Sequence, residues 1–296
     1  MDMKNKATLT LSLLASLALT ACGGGGSSDS SATTSSSSAS SPTTASAPNS
    51  ASAPTSASTP TVSGEPLPSL SSPQAGSTAA TGNGVEGIWA SQSGIDMTTA
   101  FIDPQGNISD LNTVAGFGGS EFFGVVALTA PNWTLTSGTA FVTSFYYPTT
   151  SGLGTFTPNQ TFAGSYVENG TTVNLAWNYD AANALAVTQS SVTGTWTQTG
   201  SSLTIAEDGT LTGTLSGCPV SGTLLLTTPS SGKNLYTLSI TGTTASCTLQ
   251  SGTTYSGHAA IKFLPISGSS LYTRSILFII KSASNSTVAY GQLKQQ

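Results

Sequence analysis

Residues 84 to 296 predict an all-β body of two tandem antiparallel barrel or sandwich domains, set behind a disordered linker rich in Ser, Thr, Ala and Pro. Three observations carry this. Turn signals interrupt the chain every eight to twelve residues, and apolar side chains alternate with polar ones between them, the pattern of half-buried strands. Stretches with a helical period are essentially absent. The opening of the body also occurs twice: Gly87-Ile88-Trp89 leads to Ala100-Phe101-Ile102-Asp103-Pro104-Gln105-Gly106-Asn107-Ile108, and Gly194-Thr195-Trp196 leads to Leu203-Thr204-Ile205-Ala206-Glu207-Asp208-Gly209-Thr210-Leu211. A repeat period near one hundred residues means tandem domains rather than a solenoid.

Taken in order, residues 1–21 read as a secretory signal. Lys4 and Lys6 precede an apolar run from Ala7 to Ala18, too short to span a bilayer, and small residues follow. Leu19-Thr20-Ala21-Cys22 resembles the lipobox of bacterial lipoproteins cut by the type II signal peptidase. The resemblance implies cleavage before Cys22, a diacylglyceryl group on its sulfur and a further acyl chain, palmitate or its like, on the new amino terminus. Each buried methylene contributes about 0.8 kcal/mol, so two or three chains hold a protein on its membrane. Gly23, where many inner-membrane lipoproteins carry Asp, points to the outer membrane of a bacterial cell envelope.

Residues 22–83 form the expected tether. Asp29 and Glu65 are nearly its only charges and large apolar side chains are scarce, so burial cannot offset about 1–2 kcal/mol per residue of backbone entropy. A flexible chain of that length spans roughly 40–45 Å. It reads as a plain spacer, with an O-glycosylated stalk as the alternative.

Two domains follow, 84–190 and 191–296. Without residues 1–21 the chain keeps 11 acidic and 5 basic side chains, a net charge of −6. Such a chain, with no basic patch, is not built for nucleic acid. No Lys or Arg lies between Lys6 and Lys233, so the first domain is acidic and every cation falls in the second. In that second domain Leu203 and Ile205, Leu211 and Leu215, Val220, Leu224 and Leu226, and Tyr236, Leu238 and Ile240 each share one face. With the strand of Trp196 and three more over 253–263, 271–280 and 287–292, the count is about eight, enough to close an up-and-down barrel and remove its edges.

Val192-Thr193-Gly194-Thr195-Trp196, the Gly200-Ser201 turn and Asp208 to Thr214 resemble the start of the avidin family, and lipocalins share the Gly-x-Trp entry. The resemblance implies a barrel of the calycin type plugged by Trp196. It does not bring biotin, because Trp196 is the last Trp and Leu215 stands where avidins tend to carry a pocket Tyr. Ser201 reads as a turn residue or a ligand-bonding Ser.

Cys218 and Cys247 lie almost symmetrically about the turn Ser230-Ser231-Gly232-Lys233, and in a secreted protein they are expected to form a disulfide. A ring of about 30 residues contributes roughly 3.5 kcal/mol on the loop-entropy model.

Catalytic residues are not evident. His258 is the only histidine and no G-x-S-x-G elbow accompanies it, so it reads as a face residue. Metal catalysis lacks ligands, and no cofactor is implied. Asp103, Asn107 and Asp110 offer oxygen ligands at a spacing that departs from the EF-hand. Glu121 and Glu168, with Asp96, Asp103, Asp110 and Asp180, are the carboxylates a glycosidase would need, but most sit in turn sequences. Trp133, Tyr146, Tyr147 and Trp177 are the candidate ligand-contacting residues, as planar rings suit carbohydrate faces, with core packing as the competing role. The leading expectation is a non-enzymatic, lipid-anchored surface protein that binds a glycan, a small ligand or an envelope protein. A structural envelope lipoprotein and a glycan-acting enzyme are the alternatives.

Overall fold

The computed structural model describes residues 11–13 as backbone and residues 64–142, 145–149, 151–245 and 247–296 in full. Cys22 and residues 22–63 of the expected tether lie outside them. A three-residue strand, β1 (Leu11–Leu13), runs parallel to the last strand of the chain.

The first barrel comprises β2 (Gly87–Ser93), β3 (Asp96–Ile102), β4 (Asn107–Val114), β5 (Phe117–Thr129), β6 (Asn132–Val142), β8 (Gly152–Thr157), β9 (Thr161–Glu168) and β10 (Thr171–Tyr179). Each pairs antiparallel with the next, and β10 returns to β2 through Tyr179 and Trp89, closing the eight-stranded cycle. Strand β7 (Phe145–Thr149) is a flap paired to β6.

Two 3₁₀ turns, Ala181–Ala184 and Gln189–Val192, lead to the second barrel. It consists of β11 (Gly194–Gln198), β12 (Ser201–Ile205), β13 (Thr210–Leu215), β14 (Cys218–Leu226), β15 (Tyr236–Gly242), β16 (Thr254–Pro265), β17 (Tyr272–Ser282) and β18 (Val288–Gln295). All eight run up and down, and β18 closes on β11. The strands expected from alternation are these strands, and the apolar positions named for them all line the buried core. No α-helix occurs among the described residues.

The repeat is one of geometry as well as sequence. Trp89 and Trp196 are both fully buried, and each indole N–H donates to the carbonyl four residues earlier, Val85 at 2.8 Å and Val192 at 2.7 Å. In the two matching turns Gly106 and Gly209 adopt φ of 83° and 84°, a region where a side chain is strained. Their carbonyls accept from Val126 and Leu224, and a Cβ on either would sit 2.3 Å or 2.6 Å from a neighbouring carbonyl oxygen.

Residues 64–83 are ordered, unlike the tether expected from their composition. Glu65 bridges to Tyr272 in the backbone and pairs with Arg274 through two contacts. Gln74 donates its N–H to the carbonyl of Ala184, Ala79 joins the first barrel's core, and Lys233 Nζ donates to the carbonyls of Thr78 and Ala79. Hydrogen bonds and two charged anchors hold this segment where apolar side chains are lacking, and composition does not register them.

The barrels share a buried apolar seam. Ile88, Phe101, Leu111, Phe123 and Phe141 from the outer face of the first meet Ala260, Leu277, Ile279, Val288 and Tyr290 from the second. At Gly118 the approach is so close that a Cβ would fall 1.7 Å from the Tyr290 hydroxyl.

If the buried indoles plug their barrels, Trp89→Ala and Trp196→Ala each lower the unfolding free energy by about 3–5 kcal/mol. Chemical denaturation followed by near-UV circular dichroism measures this, and a loss under 1 kcal/mol removes the plug assignment.

Candidate ligand-binding groove

Both barrel interiors are packed with side chains. The second is filled by Leu, Ile, Val and Tyr side chains such as Leu203, Ile205, Leu238, Tyr255 and Ile276. The first is filled by aromatic rings: Phe162 is stacked between Trp133 and Trp177, with centroids 5.0 Å and 5.5 Å away, and Trp89 lies against it. Trp133 and Trp177, named as candidate ligand contacts, are only 2% and 3% exposed and serve as core. Alternation along β6 and β10 turns both inward, so the core role takes them. Tyr146 packs on the seam beside Phe141, and Tyr147 is half-buried on the flap. Ser201 is buried and accepts the Ser216 N–H, as a turn residue does.

Between the barrels lies an open groove of about 470 Å³, within the range of small-molecule sites. Its first wall comes from the turn before β4 and from the outward faces of β4 to β6, and presents Asp103, Asn107, Ser109, Ser137 and Thr139. The second comes from β15 to β17 and the turn after them, with Thr237, Ser256, His258, Lys281 and Asn285. Hydroxyl and amide groups dominate both.

The sole histidine stands at this junction. Ser109 Oγ lies 2.8 Å from His258 Nδ1, and Asp103 Oδ2 lies 3.6 Å from His258 Nε2. Asp103 is fixed by the turn it belongs to. One carboxylate oxygen accepts from the N–H groups of Gln105 and Asn107, the other from the Asn107 side chain. Burial works to raise its pKa, but the contacts with His258 and Asn107 outweigh it and hold the carboxyl below its ordinary value. The Ser109 hydroxyl can donate to or accept from Nδ1, so it satisfies either tautomer of the ring.

Serine, histidine and aspartate in sequence suggest a nucleophilic relay, and sequence reasoning did not connect them. The placement does not suit acyl transfer. Ser109 is 1% exposed in the middle of a strand paired on both sides, to Phe101 and Phe123. Backbone N–H groups there are committed to the ladder, whereas an oxyanion hole needs them free. What the trio does is link the two barrels with buried polar groups at the floor of the groove.

Asp103 is the one carboxylate among the groove-lining residues. Asp103 faces the groove, whereas Asp110 follows Ile108 on the inward face of β4 between Ala100 and Phe122, so the two do not converge on one cation. Among the described residues no group of three His, Cys, Asp or Glu could hold a metal ion. Burial, with the nearby charges of Glu121 and Glu168, pushes the Asp110 carboxyl well above its usual range.

Cys218 opens β14 and Cys247 sits in the loop after β15, beyond the last ladder pair of Val220 and Gly242. They are not cross-strand partners, yet the thiols are within hydrogen-bonding reach of each other, and both are free. Burial works to raise the Cys218 thiol, but hydrogen bonds from Cys247, Leu249 and Thr248 bring it below its usual value, and the same contact raises Cys247.

Glu121 is 2% exposed in the seam, between Leu111 and Phe141, and its Oε1 has no hydrogen-bond partner. Burial pushes its pKa up from 4.5 to about 8. The unfolded chain releases this proton near 4.5 while the folded protein keeps it, so stability falls between pH 4.5 and about 8, by up to about 1.4 kcal/mol per pH unit. Denaturation at stepped pH is expected to show that fall in the parent and a flatter profile in Glu121→Gln. Parallel profiles would contradict the assignment.

No family model matches the chain, and no curated protein matches it in sequence.

Proposed function

We propose that this is a lipid-anchored binding protein of the bacterial envelope that recognises a small, hydroxyl-rich ligand in the groove between its barrels. The observation that carries the reading is the contrast between two interiors packed with side chains and a junction that is concave, polar and of ligand size. In avidins the ligand enters the barrel; here Leu215 and its neighbours occupy that space, and recognition moves to the outside. A glycan fits the hydroxyl and amide lining, since each such group can donate or accept.

Removal of residues 1–21 would also remove β1, which pairs with β18 at Ala289, Tyr290 and Gly291, and leave β17 as the ladder partner of those residues. In an oxidising compartment the adjacent thiols of Cys218 and Cys247 would form a disulfide. A second reading, contact with an envelope protein, is favoured by the hairpin tips of the first barrel, where Ile95 and Phe117 are 64% and 68% exposed and Met97 and Val114 stand beside them.

Mass spectrometry of the protein recovered from envelope fractions is expected to show a chain beginning at an acylated Cys22, with Cys218 and Cys247 two hydrogens lighter, and Cys22→Ser in the soluble fraction. Any other amino terminus, or unmodified Cys22, removes the anchor. For the groove, a thermal-shift screen of the full chain against glycans and metabolites is expected to give a rise that Ser137→Trp abolishes. Ser137 is exposed at the rim, so the bulky ring obstructs the groove without disturbing the core. Hits unaffected by Ser137→Trp place binding elsewhere.

A further inference from the structure

We infer that the ligand of this groove is a singly charged acidic saccharide, a sugar carrying one carboxylate, and that Lys281 is its counter-ion. The inference rests on the groove being the binding site. The Lys and Arg side chains of the second barrel that meet the first barrel and its leading segment mostly find a carboxylate: Arg274 meets Glu65, Lys262 meets Asp180, and Lys233 lies in the field of Glu86. Lys281 does not. Its ammonium is half-buried over the Phe123 ring, 5.7 Å from the centroid, and its hydrogen bond goes to a neutral acceptor, Asn285 Oδ1, at 2.5 Å. An ammonium has three N–H donors, so two remain for a ligand. Asp103 lines the same groove, but its oxygens are engaged by Gln105, Asn107 and His258.

A half-buried cation with no anion beside it is a cost that a bound carboxylate removes. Burial already lowers the Lys281 pKa, and an anion in contact would restore it. The charge count fixes the class. Residues 84–190 contain no Lys or Arg, so the first wall adds no cation, and Lys281 is the one Lys or Arg among the groove-lining residues. One positive charge suits a carboxylate, whereas phosphates and sulfated sugars favour several cations or the fork of Arg. The surrounding Asn107, Ser137, Thr139, Thr237 and Ser256 are neutral hydrogen-bonding groups suited to a polyhydroxylated body.

The test titrates the full chain with galacturonate and glucuronate, and with galactose and glucose as neutral counterparts, by calorimetry and by NMR of the groove amides. The acids are expected to bind about ten- to hundred-fold tighter than the hexoses, as for a hydrogen bond to a charged group. Lys281→Met is expected to erase that preference and Lys281→Arg to keep most of it, with salt weakening the acids alone. Parent and Lys281→Met binding acid and neutral sugars equally would overturn the counter-ion and leave the groove standing. An absence of groove perturbation by any of the four sugars would overturn both. Because the Lys281→Arg variant keeps the charge and the stem, a loss of preference in Lys281→Met with retention in Lys281→Arg separates charge from misfolding.

Discussion

The first barrel contains no Lys or Arg, so those of its carboxylates that stay charged find their counter-charges on another body, and this shapes the junction of the two halves. Glu86 and Asp180 belong to the first barrel and its exit, and Lys233 and Lys262 belong to the second, while Asp103 of the first faces His258 of the second. Each contact alone is modest, and a buried pair is weak evidence of stability. Their arrangement matters more, because complementary charges set the relative orientation of two surfaces that the apolar seam would otherwise fix only loosely.

Where ladder pairing runs out at the junction, two asparagines stand in for missing strands. Asn183 accepts the Ile88 N–H and donates to the Ile88 carbonyl, so β2 keeps its bonds after diverging from β10. Asn234 does the same for Ile261 on β16 while donating to the carbonyl of Ala182 in the connection. Buried backbone groups are rarely left unpaired, and these side chains meet that need without a further strand. The seam, the charges and the amides thus act on the same few elements, β2, β4, β5, β16 and β17, and the groove is the space left beside them.

Local pattern made the strands legible. Alternation of Leu203 with Ile205, or Leu238 with Ile240, follows from the pleat and needs no knowledge of distant residues. The duplicated Gly-x-Trp and Asp-containing turns are likewise encoded within a few residues. The groove is a different matter, since Ser109 and His258 meet across 149 residues and nothing local announces a long-range contact. The visible hint was global: the confinement of cations to the last third pointed to two domains of unlike character, and the structure shows those cations turned largely toward the acidic partner. Rings such as Trp133 and Trp177 were ambiguous because an inward and an outward aromatic look alike until the barrel closes. Composition does not reveal the order of residues 64–83, because it comes from carbonyls and a Glu65–Arg274 pair rather than from apolar content.

The groove belongs to neither barrel. Its walls are outward-facing positions, while closure of each ladder depends on inward-facing ones, so the two sets of side chains answer to separate demands. Substitutions at Ser137, Thr139, Thr237 or Ser256 can therefore change the lining of the groove while leaving both cylinders intact. Two such cylinders joined in one chain have, at their meeting line, a surface that a single cylinder lacks.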